Sequence, residues 1–277
     1  FFFFFFFFFA DDTTIYIQGE NLNIITNTLN AELVKVANWI HSNKLTLNIS
    51  KTHCMLSSPL MTNTVNINVY INKKLLNQVS ECRFLGIMID QKLKWRSQII
   101  ELIVKTNKLT GIIYKIRNNL SLHCLRQIYI SLAYTNFLYC CAIWGGAGST
   151  IIDNIFVAQK KLLRVMSFSH RSAHTGPLFK DLRLLKLSDI ISLQTNIFVH
   201  KSLYSRQSDD TFHFMSNNPN TRRPYDLKLP LCRTSHAQQY VTTRGVKEWN
   251  QLPEQLRNIK SPQIFKNKIK QFFLSKY

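Results

Sequence analysis

Two adjacent carboxylates, Asp11 and Asp12, stand between an apolar run that ends at Phe9-Ala10 and a second one, Ile15-Tyr16-Ile17. Hard divalent cations take carboxylate oxygens, and Mg²⁺ takes one or two of them together with the oxygens of a substrate phosphate. Aspartate also suits a tight turn, because its side chain accepts bonds from nearby backbone groups. Apolar run, acids, apolar run reads as strand, turn and strand, so the pair serves either as a polar turn or as metal ligands on a hairpin tip. The other candidate ligands are poorly spaced. Cysteines 54, 82, 124, 140, 141 and 232 contain no Cys-x-x-Cys pair, which argues against zinc. Scattered through a basic chain, they fit a reducing compartment better than a disulfide scaffold. His170, Arg171 and His174 have no third ligand near them in sequence and read as loop residues or backbone-phosphate contacts.

The elements that must hold Asp11 and Asp12 follow directly. Leu22, Ile25, Leu29, Leu33, Val36 and Ile40 trace one helical face, so a helix over 22–40 should cover the sheet carrying the acids, with Trp39 packing rather than offering a stacking surface. Leu45, Leu47 and Ile49 alternate with polar residues and read as a strand leading to Lys51. His53–Ser57 reads as another, stopped by Pro59. Val65, Ile67, Val69 and Ile71 alternate strictly; Asn72-Lys73-Lys74 makes a turn, and Arg83–Ile89 is the return strand, with Gly86 allowing close backbone approach.

From Trp95 onward the pattern becomes helical. Residues 97–117 set Ile99, Ile103, Ile113 and Ile116 among Lys105, Lys108, Lys115 and Arg117, an amphipathic helix with a basic face. Ser121 caps a second helix carrying Leu125, Ile128 and Leu132, with Arg126 among them. Gly145-Gly146-Ala147-Gly148-Ser149 is the strongest breaker. A helix over 150–168 carries Lys160, Lys161 and Arg164 on its polar side, and Ser188 caps another to about Tyr204. Residues 205–236, rich in Ser, Asn, Pro, Thr and Asp, read as a linker or mobile loop. A last helix starts at Ser261-Pro262 with Phe265, Ile269 and Phe272 on its apolar face.

Charge is unevenly distributed. The 277 residues carry a net charge of +20. Residues 1–80 hold five Lys and four acids, and the remainder holds 30 Lys and Arg against 11 acids. Such asymmetry points to a polyanionic partner, nucleic acid first, ahead of a solvated basic surface or a membrane surface. No apolar run approaches the length of a membrane span, and the start of the chain lacks the basic region and cleavage site of a signal peptide. The nine consecutive phenylalanines at the start resemble a simple-repeat artefact of an open reading frame more than a natural strand.

Phe9-Ala10-Asp11-Asp12 resembles the catalytic box of reverse transcriptases. Leu45-Thr46-Leu47-Asn48-Ile49-Ser50-Lys51-Thr52 and Phe84-Leu85-Gly86-Ile87-Met88-Ile89-Asp90 then follow in the order of the later palm motifs of the non-LTR, LINE-type and jockey-like retrotransposon enzymes. Leu125-Arg126-Gln127-Ile128-Tyr129, Trp144-Gly145, Ala173-His174-Thr175, Pro177-Leu178-Phe179 and Trp249-Asn250-Gln251-Leu252-Pro253 resemble the same family's downstream region. The resemblance implies an α+β fold: a partial palm of small antiparallel sheet and helix, then a mainly α-helical thumb and C-terminal region. The implied domains are a partial palm over 1–92, thumb helices over 93–148, a basic helical region over 149–204, the linker 205–236 and a C-terminal segment over 237–277.

The implied activity is RNA-directed DNA synthesis by two-metal nucleotidyl transfer with Mg²⁺ or Mn²⁺. Asp11 would be the metal ligand, Asp12 its supporting neighbour and Lys51 the residue near the incoming triphosphate. Phe84, Leu85 and Gly86 would form the primer grip. Lys105, Lys108, Lys115, Arg117, Arg126, Lys160, Lys161, Arg164 and Arg171 would contact nucleic acid. Implied partners are an RNA template, a DNA primer and deoxynucleotides, and implied locations are nucleus and cytoplasm. No acid in residues 13–277 matches the family's earlier palm Asp motif, so the chain reads as a C-terminal piece, inactive alone. A non-catalytic nucleic-acid-binding module and a pseudogene-like fragment without function stay open, as does the oligomeric state.

Overall fold

The computed structural model describes residues 3–9, 12–58, 65–204, 212 and 226–277. The chain divides into two compact units, Phe1–Leu93 and Lys94–Tyr277.

In the first unit, β1 (Phe3–Phe9) and β2 (Asp12–Gln18) form an antiparallel hairpin in which Phe9 pairs with Asp12. Helix α1 (Leu22–Ser42) follows, its first turn capped by Asn21 Oδ1, which accepts from the backbone N–H groups of Asn23 and Ile24. The expected apolar face forms: Leu33 and Ala37 are buried against Val69, Ile71 and Leu76, with Ile15, Leu29, Leu47 and Ile49 packed around them.

The remaining strands are short. They are β3 (His53–Cys54), β4 (Tyr70–Ile71), β5 (Lys74–Leu75), β6 (Asn77–Gln78), β7 (Glu81–Phe84) and β8 (Ile87–Asp90). They pair two by two: β3 with β6 in parallel, β4 with β5 and β7 with β8 antiparallel.

Three sequence expectations fail here for identifiable reasons. Residues 45–48 form no strand, and a 3₁₀ turn over Ile49–Lys51 follows them. Residues 65–69 form no strand: side-chain amides bond much of this backbone, and Val69 O accepts from Leu76 N at 2.8 Å. Gln78 Oε1 accepts from Ile67 N at 2.8 Å and Gln78 Nε2 donates to Val65 O at 2.8 Å. Asn30 of α1 likewise bonds Asn68 O at 3.0 Å and Tyr70 N at 2.8 Å. Finally, Arg83–Ile89 is two strands, not one. Leu85 (φ 45°) and Gly86 (φ 84°) turn the chain with two positive φ angles, the requirement of the tight hairpin turn whose twist matches its strands. Asn72 (φ 49°) and Lys73 (φ 62°) do the same between β4 and β5.

The second unit is helical: α2 (Arg96–Ile116), α3 (Leu122–Ile128), a π-helical stretch over Tyr129–Tyr134, α4 (Thr135–Leu138), α5 (Cys141–Trp144), α6 (Ser149–Met166), α7 (Thr175–Asp181), α8 (Leu187–Tyr204), α9 (Ser235–Gln239), α10 (Val241–Asn250), α11 (Glu254–Arg257) and α12 (Pro262–Leu274). Ser121 caps α3, its hydroxyl accepting from Cys124 N at 3.3 Å. Leu132, expected inside, is 52% exposed, because the π-helical stretch resets the helical phase after Ile128.

One core runs from Ile99 to Phe273 and includes Trp144, Phe179, Trp249 and Phe265. Buried Gln159 holds its centre, donating to the Tyr129 hydroxyl at 2.8 Å and Leu185 O at 3.0 Å and accepting from Leu187 N at 2.9 Å. Residues 93–148 and 149–204 therefore do not separate at the Gly145–Ser149 breaker. The glycines there serve close approach instead: a Cβ on Gly145 would lie 2.4 Å from Cys141 O, and one on Gly146 would lie 2.2 Å from Gln239 O.

The linker reading of 205–236 also needs correction at its far end. Residues 205–211 and 213–225, with Arg222 and Arg223, lie outside the described residues. Asp226 and Leu227, however, are buried. Asn250 bonds both the N–H and C=O of Leu227, at 2.8 and 2.9 Å, and Asp226 pairs with Arg257. This backbone is held as an edge would be, despite its polar composition. No described helix is long and apolar enough to cross a membrane, and all six cysteines are free.

Candidate functional site

The hairpin β1–β2 places Asp12 at the first residue of β2, beside the two-residue connection. Asp12 is exposed and has no ion-pair or hydrogen-bond partner among the described residues. Asp11 lies outside the described residues. β2 is anchored by Ile15, which packs on the Leu33–Ala37 side of α1. Lys51 is exposed at the end of the 3₁₀ turn, and that segment is anchored by Leu47 and Ile49 in the same core. One small core thus fixes the segments bearing Asp12 and Lys51. No bond joins the two side chains.

Phe84, Leu85 and Gly86 form the tip of the β7–β8 hairpin, where Arg83 Nη1 donates to Gly86 O at 3.2 Å. The base of this hairpin is tied down by Gln91. Its backbone N–H donates to Ser80 O at 3.0 Å, and its carbonyl accepts from Ser58 N and the Ser57 hydroxyl, each at 3.0 Å.

For a divalent cation, the described residues offer at the β1–β2 hairpin one open carboxylate, that of Asp12. No group of three His, Cys, Asp or Glu able to hold a metal occurs among the described residues. Asp12 fits one ligand position of a Mg²⁺ site; a two-metal clamp needs more carboxylates than this hairpin supplies.

The basic residues of the second unit separate into two kinds. Arg117, Arg126 and Arg164 are half-buried and work as anchors. Arg117 Nη1 donates to Val165 O at 3.0 Å, Arg126 Nε to Leu182 O at 2.7 Å, and Arg164 Nε to Ala173 O at 2.9 Å. Lys105 pairs with Glu101 at 2.8 Å, and Lys160 lies over the Phe156 ring, 4.4 Å from its centroid. Lys108, Lys115, Lys161 and Arg171 are exposed without an ion-pair partner among the described residues. Between Glu101 and Asp181 the chain has ten Lys and Arg and a single acid, Asp153.

Buried Cys141, pushed up to about 12 by burial, is no nucleophile at neutral pH. Sequence reasoning misses Trp39, read as packing yet 55% exposed. The helix buries Leu33 and Ala37 instead, and Trp39, two residues beyond Ala37, falls about 200° round the helix from it.

Three curated proteins resemble the chain. The RNA-directed DNA polymerase from mobile element jockey of Drosophila funebris is 32% identical over 130 residues, covering 44% of this chain and 14% of that protein. This chain is similar to jockey-type RNA-directed DNA polymerases. The probable RNA-directed DNA polymerase from transposon X-element of Drosophila melanogaster is 25% identical over 174 residues, covering 60% of this chain and 19% of that protein. The jockey polymerase of Drosophila melanogaster is 24% identical over 182 residues, covering 64% of this chain and 20% of that protein. The chain thus spans a fifth or less of the length of the jockey-type relatives it matches. No family model and no solved structure matches it.

Proposed function

We propose that the chain contributes to RNA-directed DNA synthesis. Phe1–Leu93 would be the palm part that carries the reaction centre, and Lys94–Tyr277 the part that grips the template and primer. The observation that carries this reading is the similarity to the jockey and X-element polymerases. Asp12 at the first residue of β2, a strand anchored through Ile15, supports it.

In the reaction a primer 3′-hydroxyl attacks the α-phosphorus of a deoxynucleotide. A new P–O bond forms, the bond to pyrophosphate breaks, and the hydroxyl proton is lost. Asp11 and Asp12 would hold Mg²⁺, which when bound offsets the charge growing on the transferring group. Lys51 sits in an exposed turn where a point charge can reach a triphosphate. The β7–β8 tip offers backbone groups around Gly86 on which a primer end can rest.

The 277 residues by themselves would bind nucleic acid but extend no primer. One hairpin's carboxylates leave the charge of the transition state poorly compensated, and preorganised charge is usually the largest catalytic term. The test is a segment swap: the matching part of the Drosophila funebris jockey polymerase is replaced by this sequence, and primer extension on RNA is measured with Mg²⁺. Extension is expected, and Asp11→Asn in the swapped enzyme should reduce it by roughly a hundredfold or more while leaving nucleic-acid binding unchanged. Extension by the 277 residues alone, insensitive to Asp11→Asn, would place the reaction centre elsewhere.

The charge of the second unit supports one other reading, a binding module without chemistry. It predicts steeply salt-dependent binding and no extension even in the swapped enzyme.

A further inference from the structure

Where α2 and α6 end, the surface carries an unusual group. The Arg117 guanidinium carbon lies 4.7 Å from the centroid of the Tyr114 ring and 4.7 Å from that of the Phe168 ring, over both. Its Nη1 is fixed on Val165 O at 3.0 Å. The two rings therefore lie within twice 4.7 Å of one another, held by one tethered cation. Neither is packed away: Tyr114 is 60% and Phe168 55% exposed. No other ring stacks on either one among the described residues.

Phe168 also breaks a local rule. Ser169 N bonds Arg164 O at 2.9 Å and Phe168 N bonds Val165 O at 3.5 Å, with Phe168 at φ 55°. This is the Schellman closure of a helix, whose left-handed position usually takes glycine. For a bulky residue that conformation is strained, because it brings Cβ close to the following carbonyl oxygen. Lys44 and Arg183 occupy the same position after α1 and α7, but a flexible cation reaching into water is an ordinary occupant of a helix end. Phe168 returns to the fold only partial burial and its contact with Arg117, and more than half of it stays in water. A local rule broken for so small a return to the fold is a mark of function.

We propose that Tyr114, Arg117 and Phe168 form a stacking platform for unpaired bases of a single-stranded nucleic acid. Every base offers a π face to aromatic side chains and guanidinium planes, and positive charge alongside tracks the phosphates. The surroundings have that charge: Lys115 and Arg171 are exposed nearby in the chain, and from Asn154 to Lys180 no acid occurs. Arg117 covers one face of each ring, so a base takes the opposite face of Tyr114 or Phe168. Duplexes, whose bases are already stacked, gain nothing from the platform. The proposal requires nucleic-acid binding by the chain and is independent of polymerase activity.

The test uses the 277-residue chain with a short RNA single strand carrying a fluorescent adenine analogue, and a blunt RNA–DNA duplex as control. Fluorescence quenching on binding is expected, as for an analogue base stacked on an aromatic ring. Tyr114→Leu and Phe168→Leu should each weaken single-strand binding by roughly tenfold and remove quenching, with duplex binding unchanged. Tyr114→Phe and Phe168→Tyr should restore both readouts, and their unchanged melting curves separate stacking from folding. The platform is overturned if the Leu variants bind and quench as the parent does, if they lose duplex binding in equal measure, or if the parent binds no single strand. A parent that binds single strands but fails in the segment swap leaves the platform standing and sinks only the polymerase reading.

Discussion

The two units build their functional surfaces from opposite resources. Phe1–Leu93 has a core of five buried apolar residues among those described, four separate two-stranded sheets, and a net charge of +1. Lys94–Tyr277 buries thirty-two such residues in one core and carries +19. The first exposes the Asp12 carboxylate at the start of a short hairpin strand. The second can spend its charge on a polyanion because a deep core holds the helices regardless of surface repulsion. The proposed division, chemistry on a light frame and grip on a heavy one, is the contrast that the experiments below sharpen or break.

The largest effect concerns charge. Nucleic-acid affinity of the whole chain should fall by about 10³–10⁵ between roughly 50 and 200 mM salt if some six to ten phosphates are neutralised. Replacing Lys108, Lys115, Lys161 and Arg171 together by Gln should lower the salt slope by about four. Replacing Lys35, Lys44, Lys73 and Lys74 of the first unit should barely change it. Equal slopes for both quadruple variants, read by fluorescence anisotropy, would erase the electrostatic half of the contrast.

The next effect concerns the core. Trp144 is fully buried, its Nε1 donating to Tyr139 O at 2.8 Å. Trp144→Ala should cost about 3–5 kcal/mol and unfold the second unit at lower denaturant. Gly146→Ala meets the backbone carbonyl of Gln239 at 2.2 Å and should destabilise by about 1–3 kcal/mol through overpacking. Far-ultraviolet circular dichroism follows both, since the second unit holds most of the helix. A Gly146→Ala protein as stable as the parent would show that α9 is free to move away from the glycine.

The same contrast explains what was legible in the sequence. Helices α1, α2, α6 and α12 are long, their apolar residues recur with one period, and each was readable to within a few residues; α8, buried around most of its circumference, was found from its ends. The hairpin that sets Asp12 at the start of β2 was readable because turn chemistry and alternation agreed. The small strands were not. Alternation at Val65, Ile67 and Val69 is a pattern of burial, and it does not reveal that Gln78 and Asn30 supply the hydrogen bonds a strand would have supplied. The turn at Leu85-Gly86 was hidden because Leu rarely takes positive φ. Among the candidate site residues, the acids and Lys51 are named by motif order, and their roles belong to the proposal. The division of the arginines into anchors and free cations was not, because it depends on which backbone carbonyls, Val165, Leu182 and Ala173, fall beside them in space.

The smallest effect is a pH dependence assigned to the second unit. His200 is 1% exposed, stacked on Phe265 at 4.2 Å between centroids, with Nε2 donating to Ile259 O at 2.7 Å. Burial disfavours the imidazolium and lowers the pKa of His200, while the carbonyl partly opposes this. The unfolded chain therefore takes up the proton at higher pH than the folded one. The stability from a neutral His200 is complete above the unfolded value, about 6.5, and declines as pH falls from there towards the lowered folded value. Partly buried Glu248, 3.6 Å from Arg244, has its pKa raised by desolvation and titrates with the opposite sign, so the His200 contribution must be isolated by substitution. His200→Gln removes the titrating group and keeps an amide N–H for Ile259 O. The melting temperature of the parent should drop between pH 7.5 and pH 5.5 by more than that of the His200→Gln protein. Equal drops would mean that the ring is reached by water in the folded unit, and that the heavy core is less closed around α8 than its packing indicates.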